Sequence, residues 1–437
     1  MKNKISDLVS KLQSQTHLPF WSLSNEIAIY SMAIDSRPAW GKKTKLLNFL
    51  TIIAYKMRAS DVLIFCCGLL RAISLWLKAG TIIKKNKKNS GINNKFERIF
   101  LSFKVSSEDY LYSNYIKQSQ DATLKIDSVS LEGMQHFDKP QLRFILTLLI
   151  QHAFGFTSKL KLLQTEINLK AYDLLTVCAL NLGTYAFYRS YWRMLKSKNT
   201  KEVAFITLDI PLYACIDENI RTVYFQHGLL SRSLLIPKVN HFYSLTHDEE
   251  KYLKENNPDI NITINRTNQN HIIHKIKNDI IMILSPNIFL EDLPVLQSFI
   301  RQDLFNNQKI IIRPTPHCSE KEKNFLLSEF PHALLDNISI PLHHLIEKYN
   351  PKLIVSGWMS TGLAMALEYE CLPISLYDPN VEDKWMKRIY PNDYWNTIYP
   401  IKSRILFWPR DHEKIKIAMT SQTSYEDIIK KLKPQTF

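Results

Sequence analysis

From residue 241 to residue 378, short apolar runs bounded by polar turns alternate with segments of helical spacing. HFYSL precedes the helical stretch DEEKYLKEN, and after a polar stretch comes DIIMILS. Helical Leu293 to Leu304 then leads to KIIIRP, Leu342 to Tyr349 to KLIVS, and Thr361 to Glu370 to PISLYD. Runs of this kind, separated by helices of roughly ten residues, cannot pair as hairpins. They require crossover connections, and therefore a parallel sheet with right-handed crossovers. In such sheets ligands bind beyond the carboxyl ends of the strands.

The first half carries the same signal less regularly. IAIYSMAI from about Glu26 reads as a strand, Lys42 to Met57 as a helix with a basic face, DVLIFCC as a strand and Leu69 to Ala79 as a helix. The polar stretch from Ile83 to Asn94 reads as a loop, and RIFLSFKV as a further strand. Between Pro140 and Lys196 the apolar residues recur at three and four, which predicts two or three helices. VAFITLD, PLYACIDENI and RTVYFQHG then form the clearest strand, helix, strand unit.

A chain of 437 residues is too long for one ordinary core and suits two α/β domains of roughly 200 residues each. The expected division is residues 1–238 for an acceptor-binding domain and 239–437 for a donor-binding domain. A hinge is expected at Pro237 to Asn240, with the final helix packing back on the first domain.

The chain holds 56 Lys+Arg against 41 Asp+Glu, a formal charge of +15, which favours an anionic partner. No aromatic-plus-arginine RNA module and no zinc finger occur, so a nucleotide, an acidic glycan or an anionic membrane is expected rather than nucleic acid. The six cysteines, Cys66 and Cys67 adjacent among them, show no metal-ligand spacing and read as reduced, buried thiols. The amino-terminal residues lack the apolar core of a signal peptide. The apolar stretch Val62 to Leu77 carries Arg71 and falls short of the ~20 residues that span a bilayer. A cytoplasmic protein, held by charge at the inner face of the membrane, is the expectation.

Three strand-end turns carry candidate chemistry. In SGWMSTG, Ser360 and Thr361 precede a helix whose free amides and dipole favour a phosphate, with Ser356 one turn upstream; Ser360 is equally suited to capping that helix. In RPTPH, Arg313 and His317 sit on a loop stiffened by two prolines, suited to neutralising a leaving phosphate, although Arg313 also suits a structural ion pair. In QHG, His227 follows an apolar strand and Gly228 permits a sharp turn; the imidazole can take a proton from an acceptor hydroxyl or serve as a buried, bonded histidine. Asp209 ends the preceding strand, placed to orient His227, to bind the acceptor or to cap a helix. Glu108 and Asp109 are similarly placed. No Asp-x-Asp occurs, so no metal is expected on the donor pyrophosphate, and Glu382 is a candidate for the donor ribose.

Over residues 202–378 the series ITLDIP, TVYFQHG, RPTPH and SGWMSTGLAMALEYECLPI resembles bacterial GT-B glycosyltransferases of capsule and O-antigen synthesis that use CMP-activated acidic sugars, the nonulosonic acid and Kdo transferases. Their motifs are an acidic pair before Gly, a His-Pro, and a Ser-Ser/Thr. The chain departs from the first with QHG and from the second with Cys318 after His317. It is similar also to teichoic-acid polyol-phosphate transferases, which have Trp-His-Gly at the first position. The resemblance implies two facing Rossmann-like domains and an inverting, metal-independent transfer of an acidic sugar from CMP to a glycan or lipid-linked glycan, with no cofactor. It implies His227 as base, or Asp209 if a carboxylate does that work, and Arg313, His317, Ser356, Ser360 and Thr361 around the phosphate. The rival readings are a CDP-polyol phosphotransferase and a non-catalytic nucleotide- or glycan-binding subunit.

Overall fold

The computed structural model describes residues 41–86, 96–103, 108–155, 171–230, 237–256, 258–264, 277–284, 293–302, 308–314, 318–336, 340–357, 360–376, 401 and 404–420. The expected strand after Glu26, His317, Glu382 and any helix after residue 420 lie outside the described residues.

Two six-stranded, wholly parallel sheets organise the chain. The first contains β1 (Arg98–Ser102), β2 (Thr123–Asp127), β3 (Glu202–Phe205), β4 (Arg221–Phe225), β5 (His241–Ser244) and β6 (Asn261–Ile264), in the order β2-β1-β3-β4-β5-β6. The second contains β7 (Asn278–Leu284), β8 (Lys309–Arg313), β9 (Leu334–Leu335), β10 (Pro351–Ser356), β11 (Leu372–Ser375) and β12 (Leu406–Phe407), in the order β12-β11-β10-β7-β8-β9. That second order is the doubly wound dinucleotide-fold order, reversing between β7 and β10, and the first sheet reverses between β1 and β3. The expected fold class, two α/β domains each built on a parallel, doubly wound sheet, is the one observed.

The first sheet packs against a layer of long helices: α1 (Gly41–Lys56), α2 (Ser60–Asn86), α4 (Leu142–Ala153) and α5 (Ala171–Ser197), with α3 (Glu108–Lys117) after β1. Trp192, Tyr191, Phe187 and Phe205 fill the space between helices and sheet. A Cβ on Gly183 of α5 would strike the backbone of α2 at Gly68, so the two helices meet where neither carries a bulky side chain. In the second half, α8 (Leu293–Ile300), α9 (Glu320–Glu329) and α12 (His412–Thr420) cover one face of the sheet around Phe299, Ile312 and Trp408. α10 (Leu342–Tyr349) packs on the other face with Met282 and Ile354.

Four expectations are corrected. DVLIFCC is the first part of α2, not a strand: buried Ile64, Gly68, Ala72, Leu75, Ala79 and Ile83 recur at three and four, so helical rather than alternating burial satisfies them. Ile83 to Asn86, read as loop, continue that helix. Cys66, read as buried, is exposed. The change of sheet falls between Ile264 and Asn278 rather than at 238, because β5 and β6 add parallel to β4. Pro237 to Asn240 is therefore no hinge. The Asn240 amide donates to the Thr222 carbonyl at 3.0 Å and its Oδ1 accepts from the Thr222 amide at 2.8 Å, binding the segment into the sheet.

Candidate active site at the junction of the two sheets

The turn after β4 and the start of the helix after β10 meet. α11 (Thr361–Glu368) begins there, and the Thr361 hydroxyl donates to the backbone carbonyl of His227 across 134 residues of sequence. Around this contact Leu229 and Leu245 of the first half pack with Leu363, Ala364, Leu367 and Ile405 of the second. An Arg404–Asp248 ion pair at 3.1 Å adds a polar clasp. The carboxyl ends of β3, β4 and β10 thus converge, as strand-end chemistry requires.

His227 keeps part of its surface, yet its Nδ1 is shut away with no hydrogen-bond partner among the described residues. Burial pushes the imidazole below its ordinary pKa, opposed by a hydrogen bond to the backbone of Ile206. A neutral imidazole keeps a lone pair on one of its two ring nitrogens. A neutral imidazole with an unused lone pair is what proton abstraction needs. Asp209, expected to orient the ring, follows on the same turn after β3. On the same turn after β3, the buried Oγ1 of Thr207 also lacks a partner among the described residues. β3 and β4 are neighbours, paired through Phe205 and Tyr224, so the two unsatisfied groups stand on adjacent strand ends.

Asp209 occupies the N-cap position of α6 (Ile210–Asp217) without a side-chain capping bond. Its charge adds to burial in raising the phenol pKa values of Tyr188 and Tyr224, which places the carboxylate inside the strand-end region. Glu108 is structurally committed. It accepts from the Ser102 hydroxyl at 2.5 Å and the Phe103 amide at 3.0 Å, and pairs with Lys125 at 2.6 Å, tying β1, β2 and α3 together.

The phosphate-side residues divide. Ser360 is the N-cap of α11, its Oγ accepting from the Gly362 amide at 3.1 Å; its own O–H remains to be donated. The Thr361 O–H is already given to His227. Ser356 ends β10 fully buried beside Ser375, so it presents nothing to a ligand. Arg313, expected as a phosphate clamp, instead donates to the Ile340 carbonyl at 2.7 Å and pairs with Asp336 at 3.4 Å, tying β8 to the chain before α10. Burial lowers its pKa, with Asp336 opposing.

Gly228 does not adopt a left-handed backbone, and a side chain there would meet open space. The chain does bend at Gly228, but in a conformation that does not require glycine. Gly362 is different: a Cβ would collide with Leu284 at the end of β7, so glycine lets α11 approach the sheet.

Glu249, on α7 (His247–Asn256), was not singled out from sequence. Fully buried, it accepts from the Leu230 amide and from Gln226 Nε2 at 2.8 and 2.7 Å, and from the Thr246 hydroxyl at 3.1 Å. Gln226 Nε2 also reaches the Gly228 carbonyl at 2.8 Å and its Oε1 accepts from the Leu245 amide at 3.2 Å, so this pair clamps the QHG turn on both sides of His227. Burial raises the Glu249 carboxyl to about 7 against these bonds. The signal in the sequence is the Thr246-x-x-Glu249 spacing of a capping box, met by the Glu249 amide donating to Thr246 Oγ1 at 3.2 Å. Among the described residues no three His, Cys, Asp or Glu side chains gather into a metal-holding group.

No protein-family model matches the chain, and no curated protein matches it. Solved structures resemble it at low identity. The spinosyn rhamnosyltransferase SpnG is 10% identical, covering 77% of this chain and 95% of its own, with a TM-score of 0.44. The wall teichoic acid polymerase TagF is 11% identical over 90% of this chain and 92% of its own, with a TM-score of 0.40. The UDP-GlcNAc 2-epimerase of Methanocaldococcus jannaschii is 10% identical over 77% of this chain and 98% of its own, with a TM-score of 0.41.

Proposed function

We propose that the protein is an inverting, metal-independent glycosyltransferase that moves an acidic sugar of the sialic, pseudaminic or legionaminic type from a CMP donor to a surface-polysaccharide acceptor, free or lipid-linked. The observation that carries the reading is His227: a partly exposed imidazole that burial holds below its ordinary pKa, set where the strand ends of both sheets converge. In its neutral form the imidazole can accept a proton from an acceptor hydroxyl near neutral pH.

In this mechanism the His227 imidazole takes the hydroxyl proton as the acceptor oxygen attacks the anomeric carbon opposite the nucleotide. The departing CMP phosphate lies against the amino end of α11, where Ser360 still has a proton to donate and the helix dipole favours the anion. His317, next along from the β8 turn, supplies further positive charge, and Glu382 contacts the ribose. Asp209 stands as the alternative base.

A second reading, polyol-phosphate transfer from a CDP donor, is favoured by one specific feature: a histidine, not a carboxylate pair, precedes the glycine at the junction. The test is product formation with CMP-linked acidic sugars against CDP-glycerol and CDP-ribitol, with and without EDTA. Turnover of CMP-sugars unaffected by chelator supports the first reading. Turnover of CDP-polyols alone replaces it with the second, and loss of activity in EDTA restored by magnesium removes the metal-free mechanism.

A further inference from the structure

We propose that the outer face of α2, with α1 and the end of α4 beside it, is a docking surface for an anionic phospholipid membrane. The face is apolar where a protein in water alone would be polar. Along α2 the exposed residues Val62, Leu70 and Leu77 lie opposite the stripe buried against α5, and Leu70 is 69% exposed. At the start of α2, Phe65 contacts the ring of exposed Phe154 at 5.8 Å, and Ile150 of α4 is exposed nearby in sequence. α1 adds Phe49, Ile53 and Met57, the last 72% exposed. Nine of the fourteen large apolar residues exposed in the described structure fall on these three helices and their ends.

Charge selects the occupant. Residues 41–86 hold nine lysines and arginines against one aspartate, Asp61, so more than half of the +15 of the whole chain sits on two helices. Asp61 is itself turned to the Gly155 amide at 2.8 Å. Arg71 and Lys78, seven residues apart, border the apolar stripe on one side, bonded to the Thr184 hydroxyl at 3.2 Å and the Val129 carbonyl at 2.6 Å, while exposed Lys84 follows it and exposed Lys56 ends α1. Long cationic side chains beside an apolar stripe let the charge reach headgroups while the stems lie on hydrocarbon. Protein interfaces are depleted in lysine at their centres, which argues against a protein partner. α2 is long and apolar enough to cross a bilayer by length and composition, but its inner stripe is built into the first domain's core, so it lies along the membrane rather than through it.

This deepens the lipid-linked acceptor of the preceding section and rests on it only for its purpose, because vesicle binding is measured without donor, acceptor or turnover. The experiment is co-sedimentation of the full chain with phosphatidylcholine vesicles, with and without phosphatidylglycerol. Binding to the anionic vesicles is expected to be at least about tenfold tighter, in line with several cations near the surface, and to weaken as salt is raised. Leu70→Glu/Leu77→Glu, exposed positions whose change leaves the melting transition in place, is expected to abolish it. Leu327→Glu, an exposed leucine on α9, is expected to leave it unchanged. Lys56→Glu/Lys84→Glu gives a second variant that spares every apolar contact. Equal binding to neutral vesicles, retention of binding by both double variants, or a wild-type chain that ignores vesicles while self-associating through this face would overturn the proposal.

Discussion

Replacing Glu249 with glutamine tests whether the clamp on the QHG turn carries a cost set by burial. The carboxyl is raised from its ordinary 4.5 to about 7, desolvation outweighing the hydrogen bonds from Leu230, Gln226 and Thr246. The folded chain therefore binds a proton between those two pH values that the unfolded chain has released. Stability falls as pH rises through that window, is level below it where both states are protonated, and is level again above it where both are charged. At about 1.4 kcal/mol per pH unit the total is roughly 3 kcal/mol. Glu249→Gln keeps an acceptor for Leu230 and Gln226 and a polar partner for Thr246 but cannot ionise. Thermal melts by circular dichroism from pH 4 to pH 8 are expected to show the variant and wild type separated by a constant offset at the acid end. By pH 8 the separation should have moved in the variant's favour by roughly 6–12 °C for a domain of this size. The difference between the two proteins is the readout, since every other titrating group is common to both. Parallel curves at all pH values, or a separation moving in favour of wild type as pH rises, would show that Glu249 is not held neutral by burial.

His227→Ala is expected to lower turnover by about two to four orders of magnitude with donor affinity little changed, the range for a lost general base. With wild type, the acid limb of the rate profile should lie below the ordinary histidine value of 6.5, because burial lowers this imidazole and only its neutral form accepts a proton; a limb above it contradicts the assignment. Asp209→Asn should cost less than His227→Ala, and a larger loss makes the carboxylate the base. Ser360→Ala removes both the cap of α11 and the remaining hydroxyl donor, so isothermal titration should find weaker CMP binding and denaturation about 1 kcal/mol less stability. Gly362→Ala should cost about 1–3 kcal/mol in chemical denaturation, because the methyl must displace Leu284; an unchanged midpoint would mean that α11 can shift freely.

The strands of the second half were legible because fully buried parallel strands leave short apolar runs that no soluble helix of that length needs. Each of DIIMILS, KIIIRP, KLIVS and PISLYD overlaps a strand of the second sheet. The same rule failed on DVLIFCC, where a half-buried helix with bulky residues on both faces produces an apolar run as dense as a strand, and only packing on α5 reveals the helical stripe. The boundary between sheets was illegible for a related reason. HFYSL looks like any parallel strand, and which sheet it joins depends on the bonds Asn240 makes to Thr222, a contact with no local signature.

At the site, residue type and strand-end position were enough to single out His227, Ser360 and Thr361, because turns that end buried strands have few other reasons to carry such groups. What each does was decided by partners distant in sequence. Arg313 and Glu108 have the same chemistry as ligand-binding residues, yet Asp336 and Ile340 consume one and Lys125 and Ser102 the other. Thr361 gives its proton to the backbone of His227, and burial among the strand-end turns lowers that imidazole's pKa. A hydrogen bond or a desolvation cost is a property of a pair or an enclosure, and the chain brings those together only when two sheets close over one junction. Local order along the chain therefore determined where chemistry was possible, and tertiary packing determined which groups remained available to perform it.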